Sequence, residues 1–310
     1  MQDILSGDNW RLHHGDCIEH MATMPAASVD FAIFSPPFPS MFSYTSEESD
    51  LGNSENLEGE ARIHFSFFFK QLFRIVKPGR VVCVHVMQIP ALARNGEEST
   101  WDFRGIVIRL AKRAGFNYDI DWTIGKNPQS QAIRTHSHRL LFVTLTRDRA
   151  KSCPAFVDYI IKLRVPGENA VPIDSDEIAR NDWIPWADGH WSWHDIYETD
   201  TLNTAPAKSE DDVKHICPLQ LEVIRRCTLL YTNPGEIVFS PFAGIGSEGY
   251  VALGGKSPKT KRSIVNHRRF YGCELKSEYY EEAKRNLAIA EKAGKIREAL
   301  PLFKGMNEND

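Results

Sequence analysis

The sequence predicts an α/β protein, with a mostly parallel sheet covered by helices on both faces and an antiparallel hairpin at one edge. Three observations predict it. Seven strand-like runs (10–14, 29–34, 80–86, 117–124, 139–146, 236–240 and 269–273) mostly alternate with helical segments, and strands separated by helices assemble into parallel sheets. The run 80–86 is continuously apolar from Val81 to Val84 rather than alternating, as in a strand buried on both faces. Two strand ends also carry unusual residues: Ser35-Pro36-Pro37-Phe38 follows the second run and Phe242-Ala243-Gly244-Ile245-Gly246 the sixth. Open α/β sheets bind ligands at the carboxyl ends of their strands, so both stretches are expected in one crevice.

Composition narrows the class. The 310 residues are 42% hydrophobic and 25% charged, ordinary for a globular enzyme. No signal peptide and no apolar run of membrane-spanning length is read, and a cytoplasmic location is expected. Six cysteines at 17, 83, 153, 217, 227 and 273 form no Cys-x-x-Cys pair, so neither a zinc site nor a disulfide framework is indicated. A formal net charge of −4 means that any nucleic-acid contact has to come from a local basic surface.

Taken in order, Trp10 to His14 reads as a strand, Gly15 as a turn and 18–24 as a helix, with Asp16 placed to cap it. In Phe34-Ser35-Pro36-Pro37-Phe38 two prolines end the second strand, because proline gives no N–H to a ladder and holds its predecessor out of the helical region. The result is a stiff exit carrying hydrogen-bond acceptors beside an aromatic face. The loop 39–59 follows. Six acids and no base lie between Ser46 and Ala61, which reads as a solvated loop or as a lid ordered by a ligand. Residues 64–75 form a helix with Phe65, Phe68, Phe69, Leu72 and Phe73 on its core stripe, stopped by Lys77-Pro78-Gly79. A helix spans 103–114 and closes at Gly115. The runs 117–124 and 139–146 have no helix between them and are expected to pair as the edge hairpin.

The polar stretch 125–139 holds Lys126, Arg134, His136, His138 and Arg139. His-x-His without a carboxylate or Cys nearby is a weak metal signal, and no metal is expected; phosphate or base contacts suit the stretch better. From 151 to 212 prolines break the pattern and aromatics cluster at Trp183, Trp186, Trp191, Trp193 and Tyr197. They read as an irregular subdomain packed on the core or as a segment that reads a target. A helix runs from near Pro218 to about Tyr231. The strand 236–240 then enters a glycine turn and a helix beginning near Ser247, and the strand 269–273 ends at Glu274. Small residues admit a ligand close to the backbone, and an acid on the next strand accepts from ribose hydroxyls: the layout of an adenosine-type cofactor site. Between Gly254 and Phe270 lie six Lys or Arg and no acid, read as a solvated loop or, with Lys259, Lys261 and Arg262, as a grip on phosphates. A terminal helix, about 277–293, and an acidic tail complete the chain.

These residues resemble the S-adenosylmethionine-dependent DNA amino-methyltransferases that modify N4 of cytosine or N6 of adenine, in the β arrangement, where the catalytic half precedes the cofactor half. Ser35-Pro36-Pro37-Phe38 matches the family's catalytic tetrapeptide, Phe242 to Gly246 its cofactor loop and Glu274 its ribose-binding acid. The run Asp195 to Leu287 is similar to methyltransferases common in phages and prophages. The resemblance implies a Rossmann-like methyltransferase sheet plus a small irregular target-recognition segment. It divides the chain into a catalytic half (1–150), that segment (151–212) and a cofactor half (213–310). Asp16 with Cys17 would lie near the cofactor's adenine, His215 and Pro218 near its methionine part, and Gly244, Gly246 and Ser247 in the loop. Double-stranded DNA is the implied partner, with Lys126, Arg134, Arg139, Lys259, Lys261 and Arg262 as candidate contacts. A separately acting cognate restriction endonuclease and a homodimer fit the same resemblance.

The chemistry implied is methyl transfer to an exocyclic amine. That nitrogen is a poor nucleophile because its lone pair is delocalised. Ser35 and the Pro36 carbonyl could hold its two N–H groups while Phe38 stacks on a base rotated out of the duplex, so that positioning supplies much of the rate. Ring-carbon methylation is disfavoured, since Cys occurs only in the order Cys153-Pro154 and Cys217-Pro218. In the family Ser before Pro-Pro is associated mainly with cytosine N4, and Asp or Asn with adenine N6; N4-cytosine is therefore expected, with N6-adenine as the alternative. Two positions depart from the pattern: Ser240, where many members have Asp, and Ser247-Glu248, where many have Thr-Thr. The loss of a charge at Ser240 keeps open a catalytically silent DNA- or cofactor-binding scaffold.

Overall fold

The computed structural model describes residues 4–38, 60–90, 99–135, 138–174, 176–207, 218–264 and 267–299. The expected loop 39–59, His136 and His215 lie outside them. In chain order the elements are β1 (Ile4–Ser6), β2 (Trp10–His14), α1 (Cys17–Thr23), β3 (Val29–Phe34), α2 (Glu60–Ile75), β4 (Val76–Met87), β5 (Ile89–Pro90), β6 (Thr100–Trp101), α3 (Phe103–Ala114) and β7 (Asn117–Ile124). There follow α4 (Pro128–Thr135), α5 (Phe142–Arg147), β8 (Asp158–Arg164), α6 (Arg180–Trp186), β9 (His190–Trp191), α7 (Leu221–Tyr231), β10 (Ile237–Ser240), α8 (Ser247–Ala252), β11 (Arg269–Glu274) and α9 (Ser277–Ala299).

The main sheet has the order β1-β2-β11-β10-β3-β4-β8-β7-β9. The five strands from β2 to β4 are mutually parallel. Side chains alternate between two cores, as the pleat requires. Phe31 and Ile33 of β3 face the core under α7, α8 and α9, while Ala32 and Phe34 face the core under α1, α2 and α3. Of the aromatic stripe expected on α2, Phe65, Phe68, Phe69 and Leu72 are at most 1% exposed and Phe73 is half-buried.

Three expectations are corrected. The described residues give nine strands in the main sheet rather than seven. The run 139–146 is not a strand; it forms a short 3-10 turn at His138–Leu140 and α5. The antiparallel partner of β7 is β8, which also pairs antiparallel with β4 and so lies inside the sheet rather than at an edge. Both runs have strand-forming side chains, but only 158–164 delivers Ile160, Ile161 and Leu163 to the core, and burial decides the contest. Thirdly, Lys77-Pro78-Gly79 does not separate helix from strand. It forms the irregular start of β4, where the register to β3 shifts.

The stretch 151–212 thus supplies β8 to the sheet. Its buried Trp186 and Trp191 both meet the guanidinium of Arg226, at 5.6 and 5.1 Å from the ring centroids. Arg226 in turn pairs with Glu222 and Asp195.

The chain passes from β3 to β4 on one side and from β10 to β11 on the other, while β3 and β10 are neighbours. The reversal of winding opens a crevice between their carboxyl ends. Asp30 fixes this junction, accepting from the Ile237 backbone N–H at 2.9 Å.

Candidate active site

Ser35 to Phe38 leave β3 at the crevice. All six residues of β3 are buried, so the exit starts from a rigid base. Phe34 packs edge-on to Phe68 at 5.4 Å and lies 5.7 Å from Phe242, the first aromatic of the glycine loop. The tetrapeptide and the loop therefore share a wall. Phe38 rests on Phe103 at 5.6 Å, at the start of α3, whose end Asp102 caps through the Gly105 N–H.

Behind Ser35 stands a line of polar side chains from three further elements. His85 Nδ1 lies 3.1 Å from Ser35 Oγ. On the other side of the ring, Nε2 lies 2.9 Å from Asp158 Oδ2, and Lys126 Nζ lies 2.5 Å from the same oxygen. Sheet register makes the line. Phe34 is level with Val84, so the next positions, Ser35 and His85, meet; Met87 and Ile124 are both level with Asp158. Burial alone would raise the Asp158 carboxyl, but the Lys126 ammonium and His85 outweigh it and hold the group down at about 2. The anionic carboxylate beside Nε2 favours the ring proton there by charge, at ion-pair distance without hydrogen-bond alignment. Nδ1 is then an acceptor, and the Ser35 hydroxyl donates to it, leaving its own lone pairs to face the crevice.

The cofactor candidates gather along the ends of β2, β11 and β10. Gly244 and Gly246 take positive φ values of 53° and 86°, a left-handed backbone that glycine adopts without strain. Nothing stands within 4 Å of where a Cβ would sit on Gly244, so the loop leaves an open cradle. Glu274 closes it: one carboxylate oxygen accepts from the Gly244 N–H at 2.7 Å and the other from the Lys276 N–H at 2.9 Å. Asp16 caps α1, accepting from Ile18 and Glu19 N–H at 2.6 and 3.0 Å. The Gly15 N–H bonds the Glu274 carbonyl at 2.9 Å and brings the two acidic turns together. Cys17 is buried, and burial, with Cys273 nearby, pushes its thiol up. The Ser240 and Ser247 hydroxyls are buried and have no hydrogen-bond partner among the described residues. An open cradle, an acid at its rim and two orphaned hydroxyls fit a polar nucleoside cofactor. Pro218 lies just ahead of α7, half-buried.

The candidate DNA contacts divide. Lys126 is turned inward on Asp158, with 7% of its side chain exposed, and no free phosphate-binding ammonium remains there. Arg139 is half-buried, and the Arg134 side chain lies outside the described residues. Lys259, Lys261 and Arg262 belong to the exposed part of the loop that follows α8, Lys259 on its turn and Lys261 and Arg262 just after it. That loop is folded: Ser257 Oγ accepts from the Lys259 and Thr260 N–H groups and donates to Asp200 at 2.5 Å.

Two groups escaped the sequence reading. His85 interrupts an otherwise apolar strand, which was the available signal, and Asp158 begins the strand that was not foreseen. Glu248, legible in the sequence only as a departure from the family pattern, sits buried in the first turn of α8, where burial, with Glu274 adding repulsion, pushes its carboxyl up to about 8.

Comparison with known proteins places the chain in a family and matches its fold. A family model described as DNA methylase, of the N6/N4 type, matches residues 29–285. The Type II methyltransferase M.BglII of Bacillus subtilis is 21% identical over 289 residues, 88% of this chain and 67% of that protein. TTHA0409 of Thermus thermophilus, assigned as a DNA modification methylase and solved in complex with S-adenosyl-L-methionine, superposes with a TM-score of 0.63 at 19% identity, covering 90% of this chain and 93% of its own. The cytosine-N4-specific PvuII DNA methyltransferase gives a TM-score of 0.63 at 17% identity, with coverage of 94% and 92%.

Proposed function

We propose that this chain, which belongs to the N6/N4 DNA methylase family, transfers a methyl group from S-adenosylmethionine to N4 of cytosine in double-stranded DNA. The observation that carries the reading is the line Ser35–His85–Asp158–Lys126 ending at the crevice. The cradle of Gly244, Gly246 and Glu274 would hold the cofactor, which would supply a sulfonium methyl as electrophile and be left as the neutral thioether.

The rest is the work of the protein. Ser35 Oγ and the Pro36 carbonyl accept the two N–H groups of the target amine and draw the nitrogen toward a tetrahedral geometry, so that its lone pair is free to attack. Phe38, braced by Phe103, stacks on the base, which has to leave the duplex to reach it. On gaining the methyl group the nitrogen carries a positive charge and sheds one proton. Ser35 Oγ takes that proton and passes its own to His85 Nδ1. The imidazolium formed is held by the Asp158 carboxylate, which Lys126 keeps ionised. General acid–base assistance of this kind contributes about 10²- to 10⁴-fold. Ser before Pro-Pro supports cytosine, and a cytosine-N4-specific enzyme shares the fold.

Mass spectrometry of nucleosides from DNA treated with the protein and S-adenosylmethionine tests the reading, beside a Pro36→Ala control. The expected result is 4-methylcytosine, absent from the control. A 6-methyladenine product would retain the mechanism and replace the base. No methylated nucleoside would overturn the reading.

A further inference from the structure

The connection between β7 and β8, residues 125–157, has two properties that the reaction above does not use. Its root is at the catalytic edge. β8 runs antiparallel to β4 and to β7, so the end of β7 and the start of β8 both arrive where β3 ends. The two root residues Lys126 and Asp158 are themselves part of the line behind Ser35. Its outer part leaves apolar side chains in water. Helix α5 buries none of its residues. Phe142 is 76% exposed and Ile133 73%, with Leu141, Val143 and Leu145 exposed on the same connection. A short helix with Phe142 largely in water and Val143 and Leu145 only partly covered gains little from packing, although packing is what normally holds such a helix. Five exposed apolar side chains gathered on one connection mark a contact surface.

The surrounding charge says what the surface meets. Residues 125–157 carry six Lys or Arg against the single acid Asp148, in a chain of net charge −4. With Lys126 turned inward, Arg139, Arg147, Arg149 and Lys151 accompany the apolar side chains along the connection. An apolar tip interleaved with cations and rooted beside a base-modifying centre fits duplex DNA. The cations would meet phosphates, and an aromatic or aliphatic side chain can enter between base steps and hold them apart.

We propose that the described parts of this connection, residues 125–135 and 138–157, form the DNA-engaging arm of this protein, and that Phe142 is the wedge that enters the base stack as the target base leaves it. The proposal rests on the methyl-transfer reading, which it extends from the reacting base to the duplex around it. Phe142 is a positioning residue here, since it acts on the stack and not on the reacting atoms.

The test uses the full-length protein with Phe142→Ala and, separately, a triple variant Arg147→Ala, Arg149→Ala, Lys151→Ala. Three quantities are read: S-adenosylmethionine binding by calorimetry, affinity for a random-sequence duplex as a function of salt, and methyl incorporation into unmethylated genomic DNA. Both variants should bind the cofactor as the parent does, which also shows that they fold. The triple variant should bind duplex more weakly, with a salt slope reduced by about two to three, at ~0.9 for each phosphate no longer neutralised. Phe142→Ala should keep the salt slope yet incorporate methyl groups about tenfold more slowly or worse, the cost of unstacking without a wedge. Parental incorporation by Phe142→Ala removes the wedge, and an unchanged slope in the triple variant removes the arm. A shift from dimer to monomer on Phe142→Ala, seen by light scattering, assigns the patch to a second copy and overturns the proposal. If the parent protein itself methylates nothing, the methyl-transfer reading fails, while the salt slope still judges the arm.

Discussion

Ser35 and His85 face each other across adjacent parallel strands, with Oγ and Nδ1 3.1 Å apart, so the hydroxyl at the crevice is oriented from behind by a ring that no ligand has to touch. His85→Ala should lower the rate of methyl transfer by about 10²-fold and leave cofactor affinity unchanged. Single-turnover kinetics beside calorimetric binding of S-adenosylmethionine separates the two. A matching loss of cofactor affinity would mean that His85 supports the pocket rather than the hydroxyl.

Lys126 and Asp158 form a buried pair, with side chains 7% and 4% exposed. Removing one partner strands the other's charge, at a cost of about 3–5 kcal/mol. Lys126→Met and Asp158→Asn should therefore each lower the melting temperature, and the double variant should recover most of the loss. It should not recover activity, because the His85 tautomer is then no longer held. The pair also fixes an acid limit. The Asp158 carboxyl is depressed to about 2 from an ordinary 3.8, so its stabilising contribution is present above the unfolded value and is lost as pH falls through about 2.

Glu248 has the opposite sign. Its carboxyl is raised from an ordinary 4.5 to about 8 by burial. The native state then holds a proton that the unfolded chain has released, and stability falls as pH rises between those two values. Glu248→Gln keeps the shape without the ionisation. Urea melts at pH 5 and pH 8 should show the parent weaker at pH 8 and the variant nearly level; a parent with equal midpoints would remove the buried proton.

Lys259, Lys261 and Arg262 lie on a loop anchored by Ser257 to Asp200. Neutralising all three should weaken duplex binding and lower its salt slope by up to about three. Arg262 should contribute least, since Glu222 already lies 3.7 Å from it. Filter binding over a salt series gives the slope directly, and an unaltered slope would leave the loop with no role at the phosphates.

Much of this was legible in the sequence where the signal is local. A double proline has to end β3, Asp16 caps α1 where a strand meets a helix, and glycines with an acid on the next strand locate the cradle. What was hidden depends on which strands pair. Leu140 to Thr146 and Asp158 to Arg164 compete for the place beside β7, and local composition favours neither. Once 158–164 takes it, Asp158 falls level with Met87 and Ile124. Only that register lets a carboxylate from one strand reach His85 on another, and no spacing along the chain encodes it. The same choice leaves α5 unburied.

The antiparallel course of β8 has a consequence for how such a protein can change. Ile124 and Asp158 are ladder partners, so everything between them is a closed loop standing on a fixed base. The entropy of closing a flexible loop grows slowly with its length, by roughly 0.6 kcal/mol per doubling. The outer residues 138–157 can therefore lengthen, shorten or be exchanged at little cost to the sheet, and whatever replaces them is delivered to the same edge. The strand that supplies the anion behind Ser35 is also the socket into which interchangeable DNA-facing arms can be fitted, with the chemistry held constant beneath them.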